Sequence, residues 1–139
     1  MVSPMIVLCL SLTMYEEARN QPIQTQLYVG EVILNRAEKR EYLDGDICKV
    51  VLEKKQFSWT TVKHLKTKQD LVKHYKNIQK DMQPKDREAL LKAVGLSVRL
   101  LVSGTTSNFE YFYDGRVPHY ARGKAKHKVG DLYFLNGER

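Results

Sequence analysis

The feature that most constrains this fold is an apolar run near the start of the chain that leads directly into acids. Residues 4–12 read PMIVLCLSL, and the segment YEEAR follows at 15–19. A Ser-Pro pair at 3–4 is a helix-start signal, so we predict a helix from Pro4 to about Arg19. Because its first half is apolar on nearly every side, this helix is expected at the centre of the molecule, carrying its carboxylates out of the core.

Length and charge narrow the class of protein. The chain of 139 residues fits one domain spanning 1–139, and its composition is that of an ordinary globular protein. A count of 23 basic against 16 acidic side chains gives a net charge of +7, which bears on partners and not on fold. Nucleic acid, anionic lipid and acidic cell-wall polymers are the anions that such a charge attracts.

The cysteines and histidines match no metal-binding spacing, so we expect no metal and no cofactor. Cys9 and Cys48 form no CxxC pair and are expected as buried free thiols, since a disulfide would require them to meet in space. No basic residues precede the apolar run and no small-residue cleavage pattern follows it, so a secretory signal is not expected. The run is also too short to cross a bilayer.

Three further segments carry a helical pattern. TQLYVGEVILNRAEKR predicts a second helix at 25–40, and residues 62–80 form a lysine-rich pattern with six lysines and one acid. In that pattern the inward positions are Leu65, Leu71, Val72, Tyr75 and Ile78. QPKD at 83–86 starts the clearest helix, which is expected to end at Gly104. Its expected buried face consists of Leu90, Leu91, Val94, Val98, Leu101 and Val102.

Aromatic residues and glycines concentrate in the last third of the chain, which predicts strands and loops. FEYFYDGRVPHYARG and KVGDLYFLNG have the character of strands, with turns at Asp114 and Gly115 and at Asn136 and Gly137. Taken with the helices, this predicts a predominantly helical α+β fold with a central buried helix and a small aromatic-rich β and loop lobe.

Four stretches go beyond composition because they occur together and in order: YEEARNQ (15–21), VILNR (32–36), ICKVVLEKKQFSW (47–59) and FYDGRVPHYAR…KVGDLYF (112–134). This set resembles the cell wall hydrolase family typified by bacterial spore-cortex-lytic enzymes, which phages and their hosts use to cut peptidoglycan glycan strands. The resemblance implies a lysozyme-like fold. The resemblance covers residues 5–59 closely and 89–134 more loosely. Residues 62–80 resemble an insertion within a single catalytic domain.

The resemblance is carried by individual positions. The matching residues are Tyr15, Glu17, Ala18, Arg19, Gln26, Asn35, Arg36, Cys48, Val50, Val51, Gln56, Phe57 and Ser58. The chain also departs from the family pattern. Asn20 and Gln21 stand where the family has Gly and Glu, Glu16 replaces a small residue, and Asp131 replaces a histidine near the last strand.

The resemblance implies a lytic transglycosylase, in which one glutamic acid gives its proton to the leaving glycosidic oxygen. There the C6 hydroxyl of N-acetylmuramic acid attacks its own C1 and leaves a 1,6-anhydro end, so one residue serves as acid and then base. Burial at the end of an apolar helix raises a carboxyl pKa toward the required range. Glu16 and Glu17 project roughly 100° apart on a helix, and the motif register selects Glu17.

A hydrolytic muramidase is the alternative within enzymes, and it would need a second carboxylate. Spacing selects none of the candidates, which are Glu31, Asp44, Asp46 and Asp114.

Substrate contacts are expected from a set of aromatic and polar residues, because aromatic faces suit sugar rings: Arg19, Gln56, Phe57, Ser58, Trp59, Tyr111, Tyr113, His119 and Tyr120. Supporting roles fall to Tyr15, Gln26, Asn35 and Arg36. The alternative for the aromatic set is burial in the core, and for the lysines of 62–80 a solvated helix face.

Two rivals come from other classes. The net charge and the lysine run with Tyr75 suggest a nucleic-acid-binding protein, although no nucleic-acid motif is present. The departures at Asn20, Gln21 and Asp131 suggest a family member that binds glycan without cutting it. The favoured hypothesis is a monomeric phage lysin acting on peptidoglycan. It would be made in the host cytoplasm and act on the wall from the periplasm or in the virion, drawn to the anionic envelope by its charge.

Overall fold

The computed structural model describes residues 2–54 and 56–137, and it confirms a predominantly helical α+β fold. The helices are α1 Pro4–Ala18, α2 Ile23–Lys39, α3 Ile47–Val51, α4 Ser58–Val62, α5 Lys68–Ile78 and α6 Pro84–Ser103. The strands are β1 Phe109–Asp114, β2 His127–Val129 and β3 Leu132–Asn136, and short 3₁₀ turns lie at Glu41–Leu43 and His119–Ala121.

Helix α1 is the central element, as its apolar sequence predicts. It contacts α2, α3, α5 and α6, and its residues from Cys9 to Tyr15 are all buried. The hydroxyl of Ser3 accepts a hydrogen bond from the backbone N–H of Met5 (3.2 Å), so the predicted cap forms. The last turn of α1 therefore emerges from the core carrying Glu17, which is half-buried.

Helix α6 begins and ends as predicted, and Leu90 is buried as predicted, but half of the predicted buried face was wrong. Leu91 is 66% exposed and Val102 is 73% exposed, and Val98 also faces solvent. The face that packs on α1 and α2 consists of Leu90, Ala93, Leu96, Ser97 and Leu100. Small side chains explain the difference, because the Ser97 hydroxyl lies 3.1 Å from that of Ser11 on α1, at a distance that larger residues would prevent.

A disulfide joins Cys9 of α1 to Cys48 of α3, so the expectation of free thiols was wrong. The Cα atoms lie 5.4 Å apart, although 39 positions separate the residues in sequence. Asp46 explains the approach, because its side chain accepts hydrogen bonds from the backbone N–H groups of Cys48 and Lys49 and starts α3. The short helix then lies against α1 with Cys48 buried.

The sheet is antiparallel with strand order β1-β3-β2. The turn at Gly115 (φ 63°) follows β1 as predicted, whereas β2 and β3 are joined at Gly130 (φ 60°). Asn136 ends β3 opposite Phe109. The turn predicted at Asn136 and Gly137 lies partly outside the described residues. A bulge between Phe109 and Tyr111 shifts the register of β1, which resets which residues face the core.

The lysine-rich segment contributes α5, which begins at a capping box made by Thr67 and Asp70. Leu71 is buried as predicted, and the other predicted inward residues are half-buried. His74 is buried as well, although the helical pattern did not predict an inward position for it. Within residues 2–54 and 56–137, no helix is long and apolar enough to cross a membrane.

Candidate active site

Glu17 opens onto a cleft of about 490 Å³ between the end of α1, the segment before α4 and strand β1. The other residues that line this cleft are Arg36, Gln56, Phe57, Ser58, Tyr111, Phe112, Tyr113, Asp114, Tyr120 and Leu132. Most of the residues predicted from sequence to contact substrate therefore surround the predicted acid.

The environment of Glu17 favours its protonated form. Burial is the main cause of a pKa raised to about 7, and the negative charges of Asp114 and Glu16 contribute to the same rise. A carboxyl group in this range holds a proton at neutral pH and can release it to a substrate. The arrangement can therefore perform acid–base chemistry with one residue.

Arg36, for which a supporting role was predicted with sugar contact as the alternative, lines the cleft. Its Nε donates to the carbonyl oxygen of Glu110 (2.6 Å), and its Nη1 donates to the side-chain oxygen of Gln56 (3.1 Å). The guanidinium lies over the rings of Phe57 and Tyr111, 5.8 and 5.3 Å from their centroids. Burial lowers the pKa of Arg36, with a further contribution from Arg40. Arg36 thus ties β1 to the segment before α4.

Aromatic side chains make up much of the cleft lining. Tyr111 and Tyr120 pack with ring centroids 5.1 Å apart, and Phe57 stacks on Phe112 at 6.3 Å. Tyr113 stacks on Tyr133 of β3 at 5.2 Å. Ring-on-ring packing holds the exposed faces of these residues in place, which gives the cleft a fixed apolar surface beside polar groups.

The structure distinguishes among the four candidate second carboxylates. Glu31 accepts four hydrogen bonds from Thr106 and Ser107 and so fastens the loop between α6 and β1. Asp44 pairs with Lys49 (3.5 Å), and Asp46 caps α3. Asp114 lines the cleft together with Glu17.

Three of the predicted contact residues lie outside the lining of the cleft. The Arg19 guanidinium lies over the Tyr15 ring at 4.7 Å and pairs with Glu16 at 3.7 Å. The ring of Trp59 is half-buried, and His119 is exposed in its 3₁₀ turn. Periodicity and motif position could not separate these residues from their neighbours that do line the cleft.

The predicted supporting residues contact the main chain or pack in the core. The side-chain amide of Asn35 donates to the carbonyl oxygens of Ser107 and Phe109 (3.0 and 2.9 Å), which fixes the start of β1. Gln26 donates to the carbonyl oxygen of Gln21 (2.9 Å) at the corner between α1 and α2. Tyr15 is buried beneath Arg19.

Two of the departures from the family pattern contact each other. The amide nitrogen of Gln21 donates to Oδ2 of Asp131 (3.2 Å), and the backbone N–H of Asp131 donates to Oε1 of Gln21 (2.9 Å). A Cβ atom at Gly130 would lie 2.6 Å from the hydroxyl of Thr25, so the turn fits closely against this corner. The pair holds the β2–β3 turn beside the end of α1.

Two lining residues, Phe112 and Leu132, were not predicted from sequence. Both fall inside the FYDGRVPHYAR…KVGDLYF motif, and Phe112 stands between two tyrosines that were predicted to contact substrate. Strand alternation places it on the opposite side of β1 from those tyrosines. The cleft reaches the end of β1, where both sides of the strand contribute.

The central helix thus carries a glutamic acid of raised pKa to the edge of an aromatic cleft. A family model described as Cell Wall Hydrolase matches residues 20–135, and the chain belongs to this family of enzymes that act on the cell wall. The matched span begins after Glu17, so the role of Glu17 depends on the geometry of the cleft. No curated protein and no solved structure matches the chain.

Proposed function

We propose that this cell wall hydrolase cleaves the bond between N-acetylmuramic acid and N-acetylglucosamine in peptidoglycan, as a lytic transglycosylase with Glu17 as the single acid and base. The observation that carries the proposal is the position of Glu17, at the edge of an aromatic cleft with its pKa raised to about 7. A general acid is most effective when its pKa lies near the working pH.

The reaction requires two proton transfers at Glu17. Glu17 donates its proton to the glycosidic oxygen as the bond from C1 to that oxygen breaks. The C6 hydroxyl of the same muramic residue forms the new bond to C1, and the Glu17 carboxylate accepts the hydroxyl proton. Glu17 is thereby protonated again, and no water is consumed.

The remaining lining residues bind and orient the sugars. Tyr111 and Tyr120 offer ring faces for the apolar sides of sugar rings, and Gln56 and Ser58 offer hydrogen bonds to hydroxyl and acetamido groups. Because Gln56 already accepts from Arg36, its amide N–H groups are directed to other acceptors. Orientation of this kind supplies a large part of catalysis when the nucleophile belongs to the substrate.

Asp114 supports a second candidate, which is hydrolysis by a muramidase. It lines the cleft with Glu17, as a nucleophile or water-activating base would. In the transglycosylase, its role is limited to raising the pKa of Glu17 through its negative charge.

The products of a peptidoglycan digest distinguish the two reactions. The native protein is expected to release fragments with 1,6-anhydro-muramyl ends, which mass spectrometry separates from reducing ends because an anhydro end lacks the elements of water. Reducing muramyl ends would replace the transglycosylase with the muramidase, and intact glycan on several wall types would favour a non-catalytic glycan-binding protein.

Asp114→Asn tests the second carboxylate independently. In the transglycosylase the variant still cleaves glycan, and the alkaline limb of its pH–rate profile moves to lower pH, because loss of a negative charge lowers the pKa of Glu17. In the muramidase, turnover falls by about 1,000-fold or more at every pH, since a catalytic carboxylate is missing. The pH dependence of initial rates on purified glycan strands gives the answer.

We further infer that the protein works as a monomeric lysin, of the kind phages make in the host cytoplasm or carry in the virion, and that its net charge of +7 draws it to the anionic envelope. The rival hypothesis of nucleic-acid binding explains neither the cleft nor the membership of the family.

A further inference from the structure

The residue directly before Glu17 contacts the inserted helix. Nε2 of His74 on α5 lies 2.9 Å from Oε2 of Glu16, and the His74 side chain is only 7% exposed. This contact joins residues 58 positions apart, and α5 also packs on α1. Burial makes the contact costly to leave unmade, so it restricts where the Glu16 side chain can lie.

The ring of His74 also contacts an aromatic side chain of α4. Its ring stacks on Trp59 of α4 with centroids 5.7 Å apart and an interplanar angle of 27°. Trp59 directly follows Ser58, which lines the cleft. The buried imidazole of His74 therefore contacts both α1, which carries Glu17, and α4, which begins at Ser58 in the cleft lining.

Both partners in this contact are places where the chain departs from the family pattern described above. Glu16 stands where a small residue is expected, and His74 lies within the segment 62–80 that has the character of an insertion. The carboxylate at position 16 and the histidine at position 74 of α5 form this contact with each other.

We propose that His74 is a positioning residue for the reaction, holding Glu16 beside Glu17 and Trp59 beside the cleft wall. This proposal depends on the proposed function, because it assigns the inserted helix to the same acid. His74 acts through Glu16 and Trp59 and has no assigned contact with substrate.

The charged groups around Glu16 bear on how Glu16 affects the pKa of Glu17. Arg19, directly after α1, lies 3.7 Å from Glu16 and is itself 3.9 Å from Asp86 of α6. Lys63, just beyond α4, lines the same recess of about 390 Å³ as Glu16 and His74. The negative charge of Glu16 raises the pKa of its neighbour Glu17, as the charge of Asp114 also does.

The test compares His74→Ala, His74→Gln and Glu16→Gln with the native protein in kcat, KM and thermal unfolding on purified peptidoglycan. We expect His74→Ala to lower kcat by about tenfold with a smaller change in KM, because the acid is held less well. His74→Gln should retain most of kcat, since its amide can donate to Glu16. Glu16→Gln should move the alkaline limb of the pH–rate profile to lower pH.

The matched control is Lys76→Ala, an exposed position on the same helix, which should behave as the native protein. A merely structural role would lower the unfolding temperature without moving the pH profile. Native kcat in His74→Ala, or an unmoved alkaline limb in Glu16→Gln, would overturn the proposal. If His74→Ala does not fold, the kcat of His74→Gln and the pH–rate profile of Glu16→Gln test the proposal. Cleavage that survives in Glu17→Gln would instead remove the proposed acid itself.

Discussion

Glu17→Gln is expected to reduce glycan cleavage by about 100- to 10,000-fold, because the amide keeps the shape of the side chain and cannot donate a proton to the leaving oxygen. Turnover measured on purified glycan strands gives the size of the loss. KM should change much less, since the other lining residues, which we propose bind the sugars, remain. The isosteric control is Glu38→Gln, at an exposed position on α2, which should cleave at the native rate.

The same substitution has an opposite effect on stability. With a pKa of about 7 against an ordinary value of 4.5, Glu17 binds its proton more tightly in the folded protein than in the unfolded chain. Ionised Glu17 therefore destabilises the fold as pH rises from 4.5 through 7. At pH 8 we expect Glu17→Gln to raise the free energy of unfolding by about 1–3 kcal/mol, and at pH 4 to change it little.

Urea unfolding at the two pH values measures this difference, and activity of the native protein should decline above pH 7 for the same reason. A variant that is inactive and more stable at pH 8 is the signature of a residue held in place for function. Equal stability of the two proteins at pH 8 would contradict the raised pKa of Glu17, and cleavage at the native rate by Glu17→Gln would show that Glu17 is not the acid.

Local sequence was enough to predict the helix that carries the acid. A Ser-Pro start and an unbroken apolar run specify α1 to within a residue at its end, and they place Glu17 where the helix leaves the core. The buried face of α6 was predicted poorly because apolarity was counted and side-chain size was not. Ala93 and Ser97 face the core because they are small, while Leu91 and Val102 remain outside.

The cleft could be predicted only in part, because it depends on contacts between residues that no local sequence pattern contains. Motif positions suggested Gln56, Phe57 and Ser58, and these do line the cleft with Glu17. Asp114 could not be selected over the other carboxylates, because its distinction lies in the fold that brings β1 to the end of α1. His74 was missed because a lysine-rich helix gives no sign of which partner its buried residue will meet.

The largest expected loss of stability comes from removal of the bond between Cys9 and Cys48. The bond closes a loop over a sequence separation of 39, and chain entropy predicts that its loss in Cys9→Ala/Cys48→Ala lowers the free energy of unfolding by about 3–4 kcal/mol. For a domain of this size the unfolding temperature should fall by roughly 10 °C. Scanning calorimetry of both proteins, with and without reductant, measures the change.

The position of the disulfide separates stability from catalysis. Cys9 lies two turns before Glu17 on α1, on the part of the helix that is buried against α3. At temperatures where the double variant is folded, we therefore expect native kcat, and reductant should affect the native protein but not the variant. Unchanged unfolding after confirmed reduction would contradict the stability prediction. A fall in kcat of the folded variant would mean that the covalent link to α3 also positions the helix that carries the acid.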